Sequence, residues 1–276
     1  MKTFRLTLAY EGTDFAGWQV QPEQRTIQGE LEAAAERITG SSAAALASGR
    51  TDAGVHALAQ VARLRAETYL TAEVFQRALN AELPADVAVL DAAEVDGSFH
   101  PIRDATGKRY CYVIHDGPVR EVLRRRDCWD YRHGRLDVGA MQRAAATLCG
   151  RHDFASFQTA GAERATTVRH VRHLSIERGS EVGQGGAGQG RGEETVKSSD
   201  RLSAPGRSAE DWIVLEIEAD GFLYNMVRTI VGTLVDVGRG AQPESWPQRV
   251  LASGDRRQAG PTAPPQGLFL VRVDYT

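Results

Sequence analysis

The sequence predicts an α+β protein made of two halves with one plan. Each half is a ferredoxin-like β-α-β-β-α-β unit whose antiparallel sheet is covered by helices on one face. Three observations predict this. Alternating apolar segments of strand length recur along the chain, each half holds two segments of helical period, and the order strand-helix-strand-strand-helix-strand occurs twice. The 276 residues are ample for two domains and a buried core in each. The expected division is 1–103 and 104–276, close to "PIRDATG", with the halves in a pseudo-twofold arrangement about a central cleft.

In the first half, "KTFRLTLA" (2–9) alternates as a strand. Residues 27–38 put Ile27, Leu31, Ala34, Ala35 and Ile38 on one helical face, and Gly40, Ser41 and Ser42 stop that helix. "AAALAS" and "LAQVARLR" read as strands. "TAEVFQRALNAEL" reads as a helix capped by Thr71, with Glu73 near its positive end and Val74, Ala78 and Leu79 on a shared face. "DVAVLDAAEV" is the strand after Pro84. In the second half, "KRYCYVIH", "TVRHVRHLSIE", "DWIVLEIEA" and "GLFLVRVDY" are strands. "DVGAMQRAAATLCG", ended by Gly150, and "LYNMVRTIVGTLVDVG" are helices. Residues 179–210 form a Gly-rich insert that cannot bury enough apolar surface to offset ordering, and they read as a long hairpin loop between neighbouring strands. A G-x-G-x-x-G match at 183–188 lacks a following apolar-periodic helix and is rejected as a dinucleotide site.

Apolar residues make up 42% of the chain and charged residues 25%, the balance of a folded soluble protein. No apolar run approaches a membrane span, and "MKTFRLTLAYEGTDF" reads as a strand and not as a signal peptide. Cys111, Cys128 and Cys149 are odd in number and far apart, which argues against a disulfide framework or a zinc site and makes a reducing cytoplasm the default. His170 and His173 sit in an alternating strand and read as polar side chains facing solvent, not as a ligand pair. The net charge of −3 speaks weakly against nucleic acid, but its distribution matters more than its sum. "PVREVLRRRDCWDYRHGR" gathers Arg120, Arg124, Arg125, Arg126, Arg132 and Arg135 around Trp129 and Tyr131, a mixture on which bases stack beside cations.

Three stretches carry the chemistry. "GRTDAGVHA" sets Asp52 beside Arg50 among glycines and small residues, in a loop between strands. A carboxylate kept ionised by the neighbouring cation serves there as nucleophile or base, whereas a lone "TDAG" reads more readily as an Asx turn capped by its own side chain. "GFLYNMVRTIVGTLVDVG" interrupts an apolar stripe of Met226, Ile230, Leu234 and Val237 with Arg228, which either snorkels to solvent or pairs with a carboxylate. Gly232 leaves room beside it. "GKRYCYVIH" places Tyr110 and Tyr112 on one strand face, as core or as a platform for a flat substrate.

Taken together, "GRTDAGVHA", "YEGTDFAGWQ", "KRYCYV", "HDFASFQ", "GFLYNMVRTIVGTLVDVG" and "APPQGLFLVRVDY" resemble the tRNA pseudouridine synthase A (TruA) family. The likeness runs along nearly the whole chain except the 179–210 insert. The resemblance implies isomerisation of uridine to pseudouridine at positions 38 to 40 of the tRNA anticodon stem-loop, by a homodimer that needs neither cofactor nor catalytic metal. It implies that Asp52 is the catalytic aspartate, that Tyr110 stacks on the target base, that Arg228 pairs with Asp52, and that Arg50 helps hold the nucleotide out of the stack. One departure is "FHPIRDAT" where the family has an "FHARF"-type run, so no role passes to Arg103. Two other readings compete. A noncatalytic RNA-binding pair of domains would need the tyrosines and arginines but not Asp52, and an aspartate-dependent hydrolase of small molecules would have no use for an arginine-aromatic surface.

Overall fold

The computed structural model describes residues 1–159, 166–179 and 208–276. The chain is an α+β protein, and its described residues form two compact units, 1–110 with 268–276, and 111–267. The division falls inside one strand, between Tyr110 and Cys111, where the sequence suggested 103/104. The C-terminal strand, expected to complete the second half, groups with the first unit.

The first unit runs β1 (Lys2–Tyr10), α1 (Ile27–Thr39), β2 (Ala44–Ala47), β3 (His56–Ala66), α2 (Ala72–Glu82) and β4 (Val87–Glu94). β1 pairs antiparallel with both β3 and β4, and β2 pairs antiparallel with β3. Strand period 2 sends Phe4, Leu6, Leu8 and Tyr10 to the core face, all at most 4% exposed. α1 packs Ile27, Leu31, Ala34 and Ala35 inward. Thr26 caps its start by accepting from the Gly29 N–H, and left-handed Gly40 ends it. α2 is capped by Thr71 as expected, but its buried face is Phe75 and Leu79, while Val74 faces solvent. An aromatic outweighs a valine for the core, and the Phe75 ring lies 4.8 Å from that of Phe4. The last strand of the chain, β10 (Leu268–Tyr275), joins β3 in parallel through Phe269↔His56 and Leu270↔Ala57.

The strand carrying the division is β5 (Ala105–His115). The second unit continues with β6 (Trp129–Asp130), α3 (Val138–Ala146), β7 (Gly150–Asp153), β8 (Val168–Arg178), β9 (Trp212–Ala219), α4 (Met226–Gly238) and α5 (Trp246–Ser253). β8 pairs antiparallel with both β7 and β9. Thus the strands flanking the expected insert are neighbours, while 180–207 lie outside the described residues. Gly150 does not end α3, whose last residue is Ala146 with Thr147 as its C-cap. It opens β7 at φ 104°. The stripe Met226, Ile230, Leu234 and Val237 is buried as anticipated. β7 and α5 are too short for periodicity to reveal.

No described helix is long and apolar enough to cross a membrane. Cys111, Cys128 and Cys149 are free thiols. Among the described residues, no group of three or more His, Cys, Asp or Glu could hold a metal ion. His170 and His173 are exposed on β8.

Candidate active site

The loop 48–55 between β2 and β3 owes its shape to what surrounds it in the first unit. The core face of β1 ends at Tyr10, and the β1–β3 register sets Gln60 opposite Leu8. These two buried polar residues therefore lie beneath the loop. The Tyr10 hydroxyl is 2.8 Å from Thr51 Oγ1. Gln60 accepts from the Ser48 hydroxyl at 2.7 Å and donates to the Gly49 carbonyl at 2.8 Å. From β5, Lys108 Nζ donates to the Ser48 carbonyl at 2.6 Å. A buried polar group left unpaired costs about 1–3 kcal/mol, so this network favours one loop conformation over its alternatives.

A second loop, "EGTDFAGWQ", packs backbone against backbone on the first. The Trp18 N–H donates to the Thr51 carbonyl at 3.0 Å. Gly17 has φ 92°, and a β-carbon there would lie 2.7 Å from the Thr51 carbonyl oxygen. A β-carbon at Gly12 would collide with the Val55 carbonyl. The Gly12 N–H donates to Nδ1 of buried His56 at 3.0 Å, which puts the neutral imidazole's proton on Nε2, and the ring stacks on Phe269 at 4.7 Å. Gly54 takes φ 77° beneath the turn closed by Val55 N–H to the Asp52 carbonyl at 3.1 Å. The shortage of bulky side chains in "GRTDAGVHA" and the glycines of "EGTDFAGWQ" thus have a common cause in the close approach of two backbones.

Within this frame Thr51 is buried, Asp52 half-buried and Arg50 exposed. Tyr110, near the end of the first unit's part of β5, is 8% exposed. Burial pushes its phenol well up, and the charges of Tyr10 and Asp52 add to the push. Tyr110 and Asp52 are therefore close enough to interact electrostatically, and the phenol is held neutral. Three of the four residues singled out by sequence accordingly lie in one unit, and the Asp52 charge is felt at Tyr110. The Tyr10 phenol is pushed up to about 12, mainly by burial, and it too remains a neutral donor or acceptor.

The fourth, Arg228, lies in the second unit near the start of α4 and is half-buried. Its Nε donates to the Ala263 carbonyl at 2.7 Å, and one terminal nitrogen donates to Asn225 Oδ1 at 2.9 Å. The guanidinium is thus aimed by a backbone carbonyl and an amide. Gly232 does not make room for Arg228. The space above it is taken by the Pro261 backbone, whose carbonyl a β-carbon at Gly232 would strike. Tyr112 is fully buried and donates to the Pro264 carbonyl at 2.7 Å, so both tyrosines of β5 are buried, Tyr110 less completely than Tyr112.

The arginine-rich segment is only partly a surface for binding. Arg135 bonds Asp116 and Asp211, Arg132 donates to the Gly117 and Pro118 carbonyls, and Arg124 pairs with Asp127 while lying over the Trp212 ring. Tyr131 is 4% exposed and meets Trp129 edge-on at 5.5 Å, so these rings pack on one another. Arg120, Arg125 and Arg126 face solvent.

Sequence reasoning missed Tyr10, Gln60, Lys108 and Asn225. The available signals were a glutamine inside an apolar strand and an asparagine immediately before an apolar helix.

A profile of the tRNA pseudouridine synthase family matches residues 7–102 and 144–276. The chain belongs to this family. Curated relatives named tRNA pseudouridine synthase A align along its full length. The Moorella thermoacetica protein is 44% identical over 278 residues, covering all of both chains. The Brevibacillus brevis protein is 42% identical over 276, again covering both. The Myxococcus xanthus protein is 42% identical over 275, covering 92% of that relative. Membership makes the chain an isomerase that converts uridine to pseudouridine in tRNA. That activity excludes both the noncatalytic RNA-binding reading and the hydrolase.

Proposed function

We propose that this isomerase acts on uridines 38 to 40 of the tRNA anticodon stem-loop, as a homodimer, with Asp52 as its catalytic carboxylate. Two ferredoxin-like halves facing a central cleft would supply the site. The observation that carries the reading is the clamped loop. Its backbone carbonyls at Ser48, Gly49 and Thr51 are held by Lys108, Gln60 and Trp18, and the Thr51 hydroxyl by Tyr10, while Asp52 keeps a half-exposed side chain whose charge is felt at buried Tyr110. A fixed backbone with an accessible carboxylate is what a reaction at a sugar carbon requires.

The reaction breaks the N1–C1′ bond, turns the uracil, joins C5 to C1′ and moves the C5 proton to solvent, while N1 gains one. Atoms and electrons balance within the nucleotide, and no oxidant or energy source enters. The Asp52 carboxylate either attacks C1′ or takes the C2′ proton to give a glycal, and each route needs it ionised. Arg228 is the cation that meets that carboxylate, pre-aimed by Asn225 and the Ala263 carbonyl. The target base must leave the stack first, at a cost of a few kcal/mol. Stacking on the Tyr110 ring returns about 1–3 kcal/mol of it, and exposed Arg50 holds the extruded nucleotide's backbone. The test is incubation of the purified chain with unmodified tRNA transcripts, followed by mapping of pseudouridine. The expected product lies at positions 38 to 40. Modification confined to other positions would overturn the assignment of the substrate site.

A further inference from the structure

We infer that Asn225 is a positioning residue for the isomerisation, acting through Arg228. The inference rests on the role given to Arg228 above. Asn225 stands immediately before α4, where an asparagine ordinarily accepts a backbone N–H of the first helical turn. Here its side chain makes no such cap. Its Oδ1 accepts from the Arg228 guanidinium at 2.9 Å, and its Nδ2 donates to Thr159 Oγ1 at 2.7 Å. The amide is therefore used at both ends, and neither end serves the helix.

The backbone is consistent with this assignment. Asn225 is at φ 61°, in the left-handed region, and is one of only two described non-glycine residues with positive φ. Glycine enters that region freely and asparagine better than most residues. A glycine would satisfy the turn, and the backbone contribution to the helix, the Thr229 N–H to Asn225 carbonyl bond at 2.9 Å, needs no side chain. What glycine lacks is the amide that links Arg228 to Thr159. Thr159 is itself tied to the same turn, its N–H donating to the Tyr224 carbonyl at 3.2 Å. With the Ala263 carbonyl on Nε, the guanidinium plane is fixed at two points on different nitrogens, which sets both its place and its tilt.

The experiment measures single-turnover rates on tRNA for the native chain, Asn225→Gly, Arg228→Lys and the double variant, with thermal midpoints for each. Asn225→Gly suits the left-handed backbone, so its midpoint should stay near that of the native chain. Its rate should fall on the order of 10- to 100-fold, as expected for a catalytic group released from its position, with little change in KM. In the Arg228→Lys background the same substitution should cost almost nothing, because the guanidinium it orients is gone. Losses that multiply in the double variant would overturn the inference, as would native rates in Asn225→Gly. Native rates in Arg228→Lys itself would instead refute the underlying role of the arginine, which keeps the two failures distinct.

Discussion

Gly17 shows how the candidate site depends on single residues. Its φ of 92° and the 2.7 Å that a β-carbon would leave to the Thr51 carbonyl make alanine costly on two counts, dihedral strain and a backbone clash. Gly17→Ala should destabilise the first unit by about 1–3 kcal/mol. It should also depress turnover beyond what lost folding explains, since Thr51 adjoins Asp52 and a displacement of about 1 Å costs up to about 100-fold. Thermal melting and rates measured well below the midpoint check this, and a variant with native rate would show that the second loop does not hold the first. At this scale the sequence was informative about chemistry and poor about support. Asp52 stood out because acid, arginine and glycines crowd one short loop. Tyr10 and Gln60 did not, because their partners are 41 and 11 residues away and are set by strand register.

The helices were legible wherever a periodic apolar pattern ran long enough. α1 begins at Ile27 and α2 after its cap Thr71, as read, and α4 buries the stripe expected of it. β7 and α5 were missed because four and eight residues give periodicity little to act on. The segment between β5 and α3 was misjudged in part: its arginines were visible, but not that Arg132 and Arg135 turn back onto carbonyls and buried carboxylates. That leaves Arg120, Arg125 and Arg126 facing solvent, of which Arg120 and Arg125 serve to test RNA binding by this segment. Replacing both by alanine should weaken binding to all tRNAs alike. It should also flatten the log–log salt dependence by about 0.7–0.9 for each phosphate that is no longer neutralised. Unchanged affinity and slope in a salt titration would assign the RNA path elsewhere.

For the molecule as a whole, the repeated order of periodic segments suggested two α+β halves but could not say which strand completes which. β10 is last in sequence, yet it groups with the first unit and pairs with β3, a pairing of high sequence separation that local patterns do not encode. Both units bury neutral acids. The Tyr10 phenol and the Cys111 and Cys128 thiols are each pushed up to about 12 by burial, and Tyr110 and Tyr112 are also raised. The folded values exceed the unfolded ones, so the unfolded chain loses these protons first. Their contribution is complete below the ordinary thiol and phenol values of 9.0 and 10.0 and is lost as pH rises toward 12. The thermal midpoint should therefore fall steeply from about pH 9 upward. A midpoint that stayed level across that range would contradict the burial of these groups.

The central claim, that the Asp52 carboxylate performs the isomerisation, is tested most directly by Asp52→Asn. The amide keeps the size and shape of the side chain in the clamped loop but can neither attack C1′ nor take a proton. The variant should melt close to the native chain, bind unmodified tRNA with comparable affinity, and form no pseudouridine even with enzyme in excess over tRNA. Pseudouridine formed by that variant at a rate near the native one would contradict the account.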